Sequence, residues 1–535
     1  MSTTPQALPR DALIARLREP QRWDLAIIGG GATGLGIALD AAVRGFSVVL
    51  VESHDFAKGT SSRATKLAHG GVRYLAQGDI GLVREALHER GAMLANAPHL
   101  AQRLPFVMPS YRWWETGFYG IGLKAYDTLA GRRGIGSTEF LSAHGALALL
   151  TNLQPRGLVG GVKYWDGQFD DARLAVALAR TAAARGALLV NRCAATALLR
   201  EDGKVTGLRV HEFEGEEVLT LQARCVVNAT GVWVDAVRDM DRDADAPKRA
   251  ALVAPSQGVH LVVDRRFLPG THALMVPKTE DGRVLFAVPW LGKTVLGTTD
   301  TPRQDLAREP TPFADEVNFI LREAGRYLAV APQRSDVRSI WVGLRPLVKP
   351  DDEDGANTTT TKALSREHTV LVGRSGLVTV TGGKWTTYRA MAEDVLERAM
   401  ARGVLERRSA GVTERLALIG AAPGRPLGEP PGEHLYGSEA DALRALPGAK
   451  HWLWRDGAGG LSEAMVRFAA RFEMARDVED VLARRSRLLF LDAAEAARQA
   501  DAVASILREE LGRSFNTAVS VASFKTLAAQ YLSLP

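Results

Sequence analysis

A short apolar run that stops at three consecutive glycines constrains this chain more than any other stretch. Residues 25–28 read as a buried strand, Gly29, Gly30 and Gly31 follow, an alanine-rich helical pattern comes next, and residues 47–51 form a second apolar strand. Within this strand–helix–strand unit Gly29, Gly31 and Gly34 satisfy G-x-G-x-x-G, and Glu52 closes the second strand 23 positions after Gly29. The glycines permit a tight turn and close backbone approach, and the helix start offers N–H groups to a pyrophosphate. An acid at that distance accepts hydrogen bonds from an adenosine ribose. The segment therefore predicts a dinucleotide-binding α/β unit.

Two later strand ends have the same texture. Residues 225–228 are an apolar strand that halts at Ala229, Thr230 and Gly231, and residues 377–381 run into Gly382, Gly383 and Lys384 before a helix predicted over 386–398. Between them, a helical pattern over 171–184 leads to a strand at 187–192 and a hairpin turning at Asp202-Gly203. Glycine-punctuated strand ends in three separated stretches imply a discontinuous nucleotide domain over 21–90, 166–244 and 353–415. The intervening 91–165 and 245–352 read as one antiparallel substrate domain. Residues 350–361 read as a solvated loop, because the spacing of Asp351, Asp352 and Asp354 lacks the glycine and closing Glu of a calcium loop. A Pro/Gly-rich linker at 420–432 leads to a separate helical domain, within 420–535, to which no chemistry is assigned.

Composition narrows the class. A chain of 535 residues exceeds what one core can serve, and 46% apolar with 24% charged residues excludes a disordered or fibrous protein. The 67 Lys and Arg against 61 Asp and Glu leave +6, a mild excess suited to phosphorylated substrates or an anionic membrane surface. Charge is spread along the chain, so no nucleic-acid partner is expected. Cys193 and Cys225 are too few and too far apart for a disulfide framework or a cysteine-ligated metal, and no metal site is expected. The chain has no run of about eighteen apolar residues and no signal-type stretch before residue 22, so a cytoplasmic protein is expected. Residues 118–136 mix aromatics with Lys124, Arg132 and Arg133, which suits either a lipid interface or a partly buried helix with a basic end.

Eight motifs in order carry a resemblance: GGGATGLG at 29–36, TSSRATKLAHGGVRYL at 60–75, DDARL at 170–174, NATGVW at 228–233, GVHLVV at 258–263, GTTD at 297–300, GLRPL at 343–347 and GGKWTTYR at 382–389. With these the chain resembles the FAD-dependent, respiratory glycerol-3-phosphate dehydrogenases of the amino-acid-oxidase-like flavoprotein group. The resemblance implies a Rossmann-like FAD domain beside an antiparallel β-rich substrate domain. It implies oxidation of sn-glycerol 3-phosphate to dihydroxyacetone phosphate, with a hydride passing to FAD and electrons then to a quinone. An oxidase using oxygen, or another amino-acid-oxidase-like flavoenzyme, is the alternative. Peripheral contact with the cytoplasmic face of the inner membrane and a homodimer are compatible with it.

Site residues follow from the same resemblance. Arg73, Tyr74, Arg366 and Lys384 are the expected substrate contacts, since a phosphorylated polyol calls for cations. His260 is the expected base for the hydroxyl proton and Arg345 the expected stabiliser of the developing alkoxide. FAD contacts are expected from Gly29, Gly31, Gly34 and Glu52, and from Thr60, Ser61, Ser62, Lys66, Leu67, Gly70 and Gly71. Further contacts are expected from Ala229, Thr230 and Gly231, and from Gly343, Gly383, Lys384, Thr386 and Thr387. The helix beginning near Thr386, with Lys384, is expected to stabilise negative charge on the reduced flavin. His69 is expected to line the flavin, Asp170 or Asp171 to cap a helix, and Asp300 to orient a strand corner.

Overall fold

A computed structural model describes residues 5–71, 79–131, 134–242, 249–349 and 367–535. Arg73, Tyr74, Arg132, Arg133, Arg366 and the loop 350–361 lie outside the described residues.

Short runs of Val, Ile, Leu and Ala with no polar face can be satisfied only where both faces of a sheet are covered. They form the parallel sheet Val378–Gly382, Glu217–Asn228, Arg22–Ile28, Val48–Val51, Leu188–Val190, in that spatial order. His368–Val372 adds an antiparallel edge strand. The helix Ala32–Val43 packs against both Asp171–Ala184 and Tyr388–Ala401. The predicted hairpin is Cys193–Glu201 with Lys204–Glu212, turned at Asp202 (φ +49°) and Gly203 (φ +74°). Two positive-φ residues give the turn whose twist matches the strands. One element differs from expectation: a tight turn at Trp385–Thr387 precedes the α-helix, which starts at Tyr388 rather than near 386.

The second sheet has ten strands. Val253–Asp264 and Val337–Val348 run antiparallel along almost their whole lengths, setting His260 opposite Trp341 and Ser256 opposite Arg345. The sheet is not antiparallel throughout as expected, because Ala273–Val276 pairs parallel with Ala101–Ser110. These two strands are joined through a long excursion instead of a hairpin, which leaves the parallel pairing open to them.

The C-terminal region is largely helical, as expected, and shares its core with the nucleotide segments. It carries a hairpin, Trp452–Asp456 with Gly459–Ser462, and its Phe468, Leu482, Leu489 and Phe490 belong to the same apolar cluster as the parallel sheet. Buried ion pairs tie it down: Arg180 to Glu439 at 2.6 Å and Arg173 to Glu473 at 2.7 Å, with Arg484 and Arg485 both on Asp55. Asp170 is the cap of helix Asp171–Ala184, accepting from the Arg173 N–H at 3.2 Å. Burial pushes both cysteine thiols up to about 12, so they are inert. Among the described residues no helix is long and apolar enough to cross a membrane.

Burial also holds several histidines neutral. His99 is brought down to about 3, first by desolvation and then by Arg173 and Arg180, and desolvation takes His54 and His434 to about 4. An unfolded histidine near 6.5 binds protons that these folded ones do not, so their contribution to stability is complete above pH 6.5 and is lost as pH falls toward 3. The thermal midpoint should fall between pH 7 and pH 4, and His99→Gln should flatten that fall. An unchanged slope would show that His99 does not contribute.

Candidate functional site

The carboxyl ends of three parallel strands meet at one edge of the sheet, where α/β proteins bind ligands. Ile28 and Asn228 end their strands opposite one another, and the third strand, whose Thr379 faces Asn228, runs on to Gly382. A cavity of about 340 Å³ opens there, walled by Gly29, Gly31, Glu52, Thr230, Gly231 and Gly383 among others. Gly29 has φ +109°, and a Cβ on it would lie 2.7 Å from the Ala229 carbonyl oxygen, so only glycine fits. Gly34 stands behind this wall: a Cβ there would lie 1.9 Å from the Gly29 carbonyl oxygen, so its place in the motif reflects helix–strand packing.

Glu52 lines the cavity. Its carboxylate accepts from the Gly30 N–H at 2.7 Å and the His54 N–H at 2.9 Å, which fixes it beside the glycine turn. Thr60 and Ser61 also line the cavity; Ser61 Oγ accepts the first helical N–H, from Ala32, at 2.9 Å, and Thr60 Oγ1 donates to the Leu344 carbonyl at 2.6 Å. Lys384 also lines the cavity, with Trp385, whose indole N–H donates to the Ser61 carbonyl at 2.8 Å. A glycine cradle with an acid and a cation in its wall fits a dinucleotide such as FAD.

Other predicted contacts fall outside this wall. Thr386 is buried and Thr387 Oγ1 donates to the Lys384 carbonyl at 3.3 Å, so both shape the turn before the helix. Gly343 approaches protein, not cavity: its Cβ would lie 2.8 Å from the Arg63 carbonyl oxygen. Gly70 packs under Tyr126 and Leu87, Gly71 follows at φ +76°, and Leu67 pairs with Gln168 in the second sheet. Trp233, Arg308 and Lys58 line the cavity without having been singled out. Trp233 was visible inside NATGVW; the loop carrying Arg308 bears no motif.

Lys66 and Ser62 are turned to a different task. The Lys66 ammonium is fully buried, donating to Asp171 Oδ2 at 2.7 Å and to the Ser62 carbonyl at 2.8 Å. It lies 5.1, 5.2 and 5.3 Å from the ring centres of Trp290, Trp341 and Phe490. Arg487, from the C-terminal region, is equally buried and donates to Asp171 Oδ1 at 3.0 Å and the Ser62 carbonyl at 2.9 Å. Desolvation, opposed by Asp171 and reinforced by Arg487, brings the Lys66 amine down to about 7.

His260 and Arg345 stand on the paired long strands. The His260 ring stacks on Trp341 at 5.3 Å, with Nε2 2.9 Å from Thr65 Oγ1, and Nδ1 has no hydrogen-bond partner among the described residues. Desolvation, then Lys66 and Arg345, holds it well below 6.5, so the imidazole is neutral. It is buried, and the cavity wall does not include it. Arg345 Nη1 donates to the Gln257 carbonyl at 3.2 Å and to Asp300 Oδ1 at 3.3 Å, and Nη2 to Thr298 Oγ1 at 3.3 Å. Asp300 thus orients Arg345 as well as the strand corner, where it accepts from Ser256 Oγ. Pro346, the next residue of the same strand, lines the cavity, whereas Arg345 is not part of its wall.

Comparison with known proteins agrees with this geometry. Residues 24–389 match the family described as FAD dependent oxidoreductase, and residues 433–518 match the C-terminal domain of alpha-glycerophosphate oxidase. The chain is 45% identical over 406 residues to a mitochondrial glycerol-3-phosphate dehydrogenase of Homo sapiens, covering 73% of this chain and 54% of that one. The chain therefore spans about half the length of the mammalian relatives it matches. It is 39% identical over 530 residues to a mitochondrial glycerol-3-phosphate dehydrogenase of Arabidopsis thaliana, covering 91% and 82%. The solved structure of the glycerol-3-phosphate dehydrogenase from Bacillus halodurans complexed with FAD superposes with a TM-score of 0.77 at 29% identity, covering 98% of each chain. With a dinucleotide cradle built from three strand ends and these matches along its length, the chain belongs to the FAD-dependent oxidoreductase family.

Proposed function

We propose that the protein oxidises sn-glycerol 3-phosphate to dihydroxyacetone phosphate and delivers the electrons to a quinone. The observation that supports this reading is the glycine cradle at the strand ends, beside a second sheet that carries His260 and an Arg345 held by Asp300 and Thr298. The printed names of the human, Arabidopsis and Bacillus relatives supply the substrate. When bound, FAD supplies the acceptor for the hydrogen and electron pair that leave the alcohol carbon. Gly29, Gly31, Glu52, Thr60, Ser61, Ala229, Thr230, Gly231, Gly383 and Lys384, which line the cavity, are the residues that would hold it.

The chain's own groups manage the proton and the charge. In the tautomer whose Nε2–H donates to Thr65 Oγ1, His260 Nδ1 keeps a lone pair for the substrate hydroxyl proton, and burial keeps the ring neutral before the reaction. The Arg345 guanidinium, aimed by Asp300, stabilises the oxygen as that proton leaves. Lys384, with Arg73, Tyr74 and Arg366, takes the phosphate. The nucleotide segments hold FAD and the second sheet presents substrate. Steady-state turnover should need a soluble quinone and produce little peroxide. Stoichiometric peroxide in air would favour the second reading, an oxidase, to which the match of residues 433–518 lends weight.

Peripheral membrane contact is part of the proposal. Trp113, Phe118 and Ile121, at the helix Glu115–Ala130, are 85%, 67% and 71% exposed, with Lys124 on the same helix. Replacing Trp113 and Phe118 with serine should weaken binding to anionic vesicles by ~10-fold or more, on the scale of two lost aromatic burials. Unchanged sedimentation with vesicles would remove this surface from the account.

A further inference from the structure

Arg308 is one of the cavity residues that belong to no motif. Arg308 stands in the loop between Thr301–Pro302 and the helix Ala314–Tyr327, so the second sheet sends it across to the nucleotide cavity, whose wall it joins. The loop is pinned on both sides of it. Before it, the Leu306 carbonyl accepts from Trp233 Nε1 at 3.1 Å. At Arg308 itself the carbonyl accepts from Arg63 Nη1 at 2.9 Å. After it, Glu309 takes Arg63 Nη2 on both oxygens at 2.7 Å and lies 3.7 Å from Lys58 Nζ, and Tyr531 Oη donates to it at 3.3 Å. Arg63 and Lys58 come from the nucleotide half and Tyr531 from the last helix, so two other parts of the chain fix one short loop.

The side chain is left for a ligand. Its guanidinium carbon lies 4.1 Å from the centre of the Trp233 ring, and Glu52 stands in the same cavity wall. Among the described residues the guanidinium makes no hydrogen bond, although it is a planar cation with five donors. Trp233 holds one face, leaving the edge and the other face at the cavity mouth. Glu309, the nearest acid in sequence, is committed to Arg63 and Lys58.

We propose that Arg308 clasps the adenosine diphosphate part of FAD, closing the cavity from the substrate side and slowing release of the cofactor. This rests on the reading of the cavity as the FAD site. Guanidinium donors pair with diphosphate oxygens, and a planar cation already stacked on Trp233 gives up little freedom to do so. Because the loop continues into the second sheet, the same contact couples cofactor retention to the packing of the substrate half.

The test is the rate of FAD release from the holoenzyme, followed by the gain in flavin fluorescence on dilution. Arg308→Ala should release FAD at least ~10-fold faster than the parent, the scale of one lost charge-assisted contact. Arg308→Lys, which keeps the charge and loses the plane, should fall between them, and ADP should protect the apoprotein against heat less in both variants than in the parent. A parent that holds FAD beside an Arg308→Ala variant that releases it at the same rate would overturn the clasp and leave the cofactor reading intact. Equal protection by ADP in parent and variant would also overturn it. A parent that binds no FAD at all would overturn the reading beneath it.

Discussion

Arg345→Ala should lower kcat/KM for sn-glycerol 3-phosphate by at least ~100-fold, the scale of losing a charged transition-state contact of ~3 kcal/mol. The guanidinium is held from three sides, by the Gln257 carbonyl, Asp300 and Thr298, so its position before substrate arrives is already fixed. Asp300→Asn should reproduce part of the loss by weakening the aim of Arg345 without removing its charge. His260→Asn separates the other role: it should slow reduction of the bound flavin at neutral pH while leaving FAD in place, because the imidazole lies outside the cavity wall. Rapid-mixing measurements under anaerobic conditions distinguish these cases. Near-normal turnover in Arg345→Ala would remove it from the site, and unaltered reduction in His260→Asn would return that residue to the core.

The second large effect is on stability. Asp171 is fully buried between Lys66 at 2.7 Å and Arg487 at 3.0 Å, and it also accepts from the Ala64 N–H at 3.0 Å. Removing it leaves the Arg487 guanidinium with Asp170, 3.4 Å from its Nε, as the remaining carboxylate nearby, and strips the buried Lys66 amine of its acid partner. Breaking one partner out of such a cluster costs about 3–5 kcal/mol. Asp171→Ala should therefore lower the thermal midpoint by ~5 °C or more. Adding Lys66→Met should recover part of this, since a thioether suits the space among Trp290, Trp341 and Phe490 better than an unpaired ammonium. An unshifted midpoint in Asp171→Ala would contradict the account of the C-terminal region as a structural partner of the nucleotide half.

The parallel sheet and its glycine turn were legible in the sequence because local chemistry dictates them. Residues 25–28 have no polar face, the glycines at 29–31 can do what other residues cannot, and Asp202-Gly203 encodes its own turn. The C-terminal docking was not legible. Arg180, Arg484, Arg485 and Arg487 carry no spacing signal in a sequence, and only the fold reveals that acids far along the chain meet them in the interior. Lys66 illustrates the same limit at the site. Its place in a glycine-rich motif suggested contact with the ring, yet its side chain turns to Asp171, a pairing across 105 positions that no spacing rule anticipates. Arg308 lies in a loop with no periodicity at all, and its position depends on Arg63 and Trp233 more than on its neighbours.

The most direct test of the central claim is the visible spectrum of the purified protein, recorded anaerobically before and after adding sn-glycerol 3-phosphate. The account predicts an oxidised-flavin band that bleaches with that substrate and recovers when a quinone is added. A flavin band that stays unbleached would keep the fold and the cofactor while contradicting the substrate and the roles given to His260 and Arg345.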